Sequence, residues 1–148
     1  MTFQTTENFT INTGLGNDVV TTGDGIDVLS SGAGADQLNS GGGNDTLTGG
    51  LGNDTLMGGA GDETFNYAVG DGADAIDSGT GTGDTLVVSG TTGDDTLNVV
   101  VTAGLVSGLA GGSVTNVETA TLALGGGSGD VLDFTGTTEA VTVKRLSP

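Results

Sequence analysis

Six consecutive nine-residue units occupy the first half of the chain, and no other feature narrows its fold so far. They read TGLGNDVVT from Thr13, TGDGIDVLS from Thr22, SGAGADQLN from Ser31, SGGGNDTLT from Ser40, GGLGNDTLM from Gly49 and GGAGDETFN from Gly58. The second position is Gly throughout (Gly14, Gly23, Gly32, Gly41, Gly50, Gly59), and so is the fourth (Gly16, Gly25, Gly34, Gly43, Gly52, Gly61). Asp18, Asp27, Asp36, Asp45 and Asp54 hold the sixth position, and Glu63 takes the next slot. The eighth is always large and apolar: Val20, Leu29, Leu38, Leu47, Leu56, Phe65. A seventh unit, VGDGADAID from Val69, restores Gly70, Gly72, Asp74 and Ile76 after a two-residue insertion, Tyr67 and Ala68.

Two or three glycines in nine residues rule out a helix. The last three residues of each unit suit a very short strand whose eighth-position side chain points inward. The first six suit a tight turn, in which glycine adopts positive φ at low steric cost. Turn, strand, turn, strand makes a flattened coil of 18 residues. Such coils stack at the strand spacing of about 4.8 Å. Each unit alone buries almost nothing, and only the stack is stable. The expected fold is therefore an all-β solenoid, regular over 13–77 and irregular over 78–148, with residues 1–12 as an N-terminal cap or edge strand.

Stacking places Asp18, Asp36, Asp54 and Asp74 in one column and Asp27, Asp45 and Glu63 in another, on the opposite edge. Carboxylates about 5 Å apart repel by roughly 3 kcal/mol at an effective dielectric of 20. The chain has 19 acidic residues against Lys144 and Arg145, a net charge of −17, so basic side chains cannot offset this. A bound divalent cation can. Main-chain carbonyls and Asp oxygens offer an all-oxygen shell, which suits calcium, and the absence of His and Cys disfavours zinc, copper and nickel.

The same composition excludes several functions. Two basic residues cannot neutralise a nucleic-acid backbone, and an anionic membrane surface would repel the chain. No apolar run approaches the roughly 20 residues of a membrane helix. Without Cys or His there is no disulfide, no thiol nucleophile and no imidazole base. Paired carboxylates serve glycosidases, but the aromatic residues Phe3, Phe9, Phe65, Tyr67 and Phe134 are too few for a sugar platform. Neither a Walker loop nor an EF-hand loop is present. Catalysis is not expected.

The run TGLGNDVVT…GGLGNDTLM…GGAGDETFN resembles the RTX, or haemolysin-type calcium-binding, nonapeptide family, with its pattern G-G-x-G-x-D-x-U-x. The resemblance spans 13–77 and implies a right-handed parallel β-roll with calcium between turns. It implies side-chain ligation by Asp18, Asp36, Asp54 and Asp74 on one edge and by Asp27 and Asp45 on the other. The implied main-chain ligands are the glycines Gly14, Gly16, Gly25, Gly32, Gly34, Gly41, Gly43, Gly50 and Gly52. Asn17, Asn44 and Asn53 at the fifth position, and Glu63, complete the candidate set. One ion for each same-edge pair of turns gives about five sites. The family further implies type I secretion, through an uncleaved C-terminal signal, into millimolar extracellular calcium. Three features depart from the pattern. Thr or Ser replaces the first glycine in four units, Ile26 and Ala35 replace the fifth-position Asn, and Glu63 is longer than Asp by a methylene.

Beyond residue 77 the strict period is lost but its vocabulary persists. Gly83–Asp84, Gly93–Asp94–Asp95 and Gly129–Asp130 each enter an apolar run, Val114 to Leu124 alternates as one or two strands, and Glu139 to Val143 reads as another. A solenoid with longer, less regular coils is expected; a separate β-sandwich is the competing reading. For Asp94 and Asp95, turn capping and ligation weigh equally; Asp130 and Asp133 read as turn and surface residues. Lys144 and Arg145 read as a solvated pair in a tail lacking the acidic-then-apolar ending common in the family. The opening residues Met1 to Glu7 have neither the basic stretch nor the apolar segment of a cleaved signal.

Two functions from different classes fit. One is a secreted, calcium-triggered structural protein that self-assembles with copies of itself in a surface layer, fibre or matrix, with Phe9 to Asn12 capping the first coil or pairing with another copy. The alternative is the C-terminal folding and secretion module of a larger exoenzyme or toxin. A genuine start at Met1 favours the first.

Overall fold

A computed structural model describes residues 1–3, 6–93, 95–98, 100–102, 105–107, 112–117, 119–123 and 131–133. Asp94, Asp130, the stretch 139–143 and the pair Lys144 and Arg145 lie outside the described residues. Among those described there are strands and turns and no helix. The strands are β1 (Thr10–Leu15), β2 (Val19–Thr21), β3 (Val28–Ala33), β4 (Gln37–Gly42), β5 (Thr46–Leu51), β6 (Thr55–Ala60), β7 (Thr64–Ala68) and β8 (Ala75–Gly79). They continue as β9 (Thr85–Ser89), β10 (Thr96–Asn98), β11 (Val100–Thr102), β12 (Leu105–Ser107), β13 (Ser113–Thr115), β14 (Thr119–Ala123) and β15 (Val131–Asp133).

From β1 to β9, odd and even strands separate into two sheets, as a coil of two strands per turn requires. One sheet runs β1-β3-β5-β7-β9-β14; the other begins β2-β4-β6-β8-β13. Pairing in these stacks is parallel and keeps like positions together: Leu29 lies opposite Leu47, and Leu38 opposite Leu56. The eighth-position side chains Val20, Leu29, Leu38, Leu47, Leu56 and Phe65 are all buried, and Ile76, Leu86, Val114 and Leu122 continue the same core. The chain is thus an all-β solenoid of parallel strands.

Two details differ from the short-strand expectation. Strands such as β4 and β5 are six residues long, not three. They run on into the next unit, so that Gly32 pairs with Gly50 and Gly41 with Gly59 at positive φ within the ladder. The second inward slot of each strand then falls on the first position of a unit, which explains Ser or Thr there. The buried hydroxyls of Thr22, Ser31 and Ser40 donate to the carbonyls of Ser40, Gly49 and Gly58 one coil later.

The solenoid does not stop where the nine-residue period stops. Thr85 pairs with Thr64, 21 residues earlier; Ser113 then pairs with Ala75 and Thr119 with Thr85. Between them the chain departs into β10 to β12, where β11, β12 and β13 pair antiparallel, and β10 pairs with β15. At the N-terminus, Thr2 bridges Thr21 and so covers β2, while β1 is the end strand of its sheet.

Candidate metal centre

The glycine-rich turns face inward as well as outward, and this decides what their carboxylates experience. Asp27, Asp36, Asp45, Asp54, Glu63 and Asp74 are each no more than 2 % exposed; Asp18, in the first coil, is partly exposed. A solvated turn, the bland reading of such residues, does not describe them.

Each buried Asp uses one oxygen on the coil before it. The backbone N–H of Asp18 donates to Asp36 Oδ1 at 2.7 Å, that of Asp36 to Asp54 at 2.9 Å, and that of Asp54 to Asp74 at 3.0 Å. On the opposite edge the N–H groups of Phe9 and Asp27 donate to Asp27 and Asp45, at 2.7 and 2.8 Å. Asp18, Asp36, Asp54 and Asp74 therefore form one column, and Asp27, Asp45 and Glu63 the other.

Asp84 extends the second column. The N–H of Glu63 donates to its Oδ1 at 2.7 Å. Sequence reading took Gly83–Asp84 only as a turn. The signal was present in Gly79, Gly81, Asp84 and Leu86, but one inserted residue puts it out of phase with the nine-residue count.

The second oxygens of Asp18, Asp27, Asp36, Asp45 and Asp54, and both oxygens of Glu63, are buried without a hydrogen-bond partner. No Lys or Arg lies among the described residues, and the Met1 ammonium donates to the Val19 carbonyl. A buried carboxylate oxygen with neither donor nor counter-charge is strongly disfavoured. Burial accordingly pushes the carboxyls of Asp45 and Asp54 above the usual range, against the bonds from the preceding coil. It pushes Asp74 up to about 6, with Asp54 and Asp71 adding repulsion. Glu63 rises to about 7 through burial, then through the charges of Asp84, Asp45 and Asp62.

The fourth-position glycines supply oxygens beside these carboxylates. A methyl on Gly34, Gly52 or Gly72 would overlap the carbonyl oxygen of Gly16, Gly34 or Gly52, and one on Gly43 or Gly61 that of Gly25 or Gly43. The second-position glycines Gly32, Gly41 and Gly50 face the carbonyls of Gly14, Gly23 and Gly32 in the same way. Among the described residues no group of three or more carboxylates converges on one point, so a bound cation must draw part of its shell from these carbonyls. An orphaned anionic oxygen among carbonyl oxygens, with no nitrogen or sulfur donor, fits calcium.

The fifth-position amides do something else. Asn17 Oδ1 accepts from the Ala35 N–H at 2.9 Å, Asn44 from Asp62 at 3.1 Å and Asn53 from Ala73 at 3.0 Å. These bonds reach the coil that follows, whereas the Asp bonds reach the coil before. Asn17, Asn44 and Asn53 thus staple coils with the side-chain oxygen that ligation would use.

Tyr67 fills an inward slot that holds Ser31 and Gly49 in earlier coils of its sheet. It is buried, and its hydroxyl donates to the Gly72 carbonyl at 2.9 Å, beside Asp74.

With this geometry in view, comparison with known proteins gives one match. Residues 12–47 and 40–71 match the family described as RTX calcium-binding nonapeptide repeat, in four copies. No curated protein and no solved structure matches the chain.

Proposed function

Residues 12–71 belong to the RTX calcium-binding nonapeptide repeat family, and from that premise we propose that this calcium-binding β-roll folds on meeting calcium outside the cell and serves there as a structural, self-associating element rather than as an enzyme. The observation that carries the calcium-coupled part is the set of buried carboxylate oxygens on Asp18, Asp27, Asp36, Asp45, Asp54 and Glu63 that lack any hydrogen-bond partner. Without a cation these charges oppose a core only two strands wide; with one, they become its shell. Secretion follows from supply, since sites of this class bind at about 10⁻⁴–10⁻³ M, a concentration found extracellularly. Self-association is supported by β1, a six-residue strand ending its sheet with no neighbour on its outer edge among the described residues.

Tyr67 provides the test. It is the only Tyr, Trp is absent, and it lies beside Asp74. Terbium replacing calcium at the Asp54–Asp74 rung is expected to emit on tyrosine excitation. Calcium is expected to displace it, and Tyr67→Phe to abolish the emission. Circular dichroism should change from largely disordered in chelator to β-type in millimolar calcium. An ordered β spectrum unaltered by chelator would refute the coupling. Light scattering that grows with calcium supports assembly, whereas a compact monomer favours the folding-module alternative.

A further inference from the structure

The coils begin before the glycines do. The Ile26 N–H donates to Asn8 Oδ1 at 2.8 Å, as the Ala35 N–H donates to Asn17 at 2.9 Å. The Phe9 N–H donates to Asp27 Oδ1, as that of Asp18 donates to Asp36, and Ile11 pairs with Leu29. Asn8, Phe9 and Ile11 therefore stand in the fifth, sixth and eighth positions of a unit without glycine. This leading half-coil carries a phenyl ring where Asp27, Asp45 and Glu63 carry carboxylates along the same edge.

Its strand, β1, is unfinished on one side. Ile11 is only partly buried against the core. A methyl on Gly14 would meet nothing within 4 Å, whereas one on Gly32 would overlap the Gly14 carbonyl oxygen, and one on Gly50 that of Gly32. The far end of the same sheet is β14, parallel to β9, and among the described residues no strand lies beyond it. Ala120 there is likewise only partly buried against the core. The other sheet is covered at both ends, by the bridge from Thr2 to Thr21 and by β12 lying antiparallel on β13.

The register says what would fit. Ile11, Leu29, Leu47, Phe65, Leu86 and Ala120 form one inward line, each residue opposite the next. We propose that copies join head to tail through this sheet alone, with β1 of one copy pairing in parallel beyond β14 of another. One more step of the same register sets Ile11 against Ala120, the smallest side chain of the line, and Asn12 beside Thr121. The joint thus continues both the main-chain ladder and the core. Phe9 removes an obstacle, since an incoming chain of net charge −17 meets no sixth-position carboxylate at that turn. Two different edges at opposite ends of one molecule make a contact that does not close, and such contacts build filaments. This joint rests on the self-association proposed above, to which it adds an acceptor strand and a polarity.

Cross-linking tests it, because the chain has no cysteine of its own. Asn12 and Thr121 both point outward from the sheet. Across the joint their backbones would lie about 4.8 Å apart, a separation that a disulfide spans. Within one chain they stand on the first and last of six strands, about 24 Å apart at that spacing, and cannot bridge. Asn12→Cys and isotopically labelled Thr121→Cys are mixed in calcium with oxidised glutathione, and the dimers are weighed by mass spectrometry. Mixed dimers are expected well beyond the half share of random pairing, and to be lost in chelator. The doubly substituted chain should give a ladder of multimers. Random pairing, or an excess of Asn12→Cys homodimers joined β1 to β1, would overturn the joint. So would an absence of cross-links while calcium-dependent light scattering still grows. An unaltered chain whose scattering does not grow with calcium would instead refute self-association itself. Should either variant lack the β-type spectrum in calcium, Thr10→Cys and Thr119→Cys, paired in the same register, are read by the same outcomes.

Discussion

A sixth-position Asp has two oxygens in two different situations. In Asp36 one is held by the Asp18 N–H and the other is buried with nothing to meet it. An amide at this position keeps the first and removes the charge from the second. Asp36→Asn should therefore stabilise the folded calcium-free state while raising the calcium midpoint about ten- to a hundredfold, as expected for a charge-assisted contact of about 1.5–3 kcal/mol. Parallel chelator and calcium titrations followed by circular dichroism would show opposite shifts; shifts of the same sign would mean that Asp36 is no ligand. Protons act on the same groups. Glu63 and Asp74, raised to about 7 and about 6, hold protons in the folded, calcium-free chain that the unfolded chain has already released. Their contribution to stability is complete below the ordinary carboxylate range and is lost as pH rises through 6 to 7. In chelator the β-type circular dichroism signal should thus be stronger at pH 5 than at pH 8. The calcium midpoint should move the other way and rise on acidification, because protons compete for the ligands.

At the level of the coil, the glycines are not equivalent. Gly16 and Gly34 both have positive φ, in a region that an L side chain adopts at a cost of about 1–3 kcal/mol. A methyl on Gly16 meets nothing, whereas one on Gly34 collides with the Gly16 carbonyl. Gly34→Ala should consequently lower the urea midpoint at saturating calcium at least twice as far as Gly16→Ala; equal losses would show that the coils are not stacked this closely. The nine-residue period made much of this arrangement legible, because a period of nine with an apolar eighth position leaves one stacking register and puts Asp18, Asp36 and Asp54 in line. Strand length was not legible, since Gly32 and Gly41 read as turn residues while their backbones stay in the ladder. Nor was the donor that holds each carboxylate, because the N–H of the preceding coil meets Oδ1 only once the coils are stacked. Asp84 escaped for a simpler reason, the insertion that breaks its phase.

Over the whole molecule, the two sheets end differently at the N-terminal side. Residues 1–3 cover β2, where the N–H of Phe3 donates to the Thr21 carbonyl and that of Thr21 to the Met1 carbonyl, both at 2.7 Å. Phe3 and Phe9 stack with ring centres 4.6 Å apart beside this cap. No such cover lies over β1 among the described residues, and an uncovered strand edge is a template for another chain. A net charge of −17 opposes that pairing at low calcium. On the proposed reading calcium would act twice, ordering the coils that display β1 and reducing the repulsion between copies. The edge can be blunted without touching the core, because Asn12 is exposed on β1. Asn12→Lys should leave the calcium midpoint of folding unchanged and sharply reduce calcium-dependent light scattering. Growth equal to that of the unaltered chain would exclude β1 as the associating edge, and a raised folding midpoint would show that β1 contributes to the coils rather than to contacts between chains.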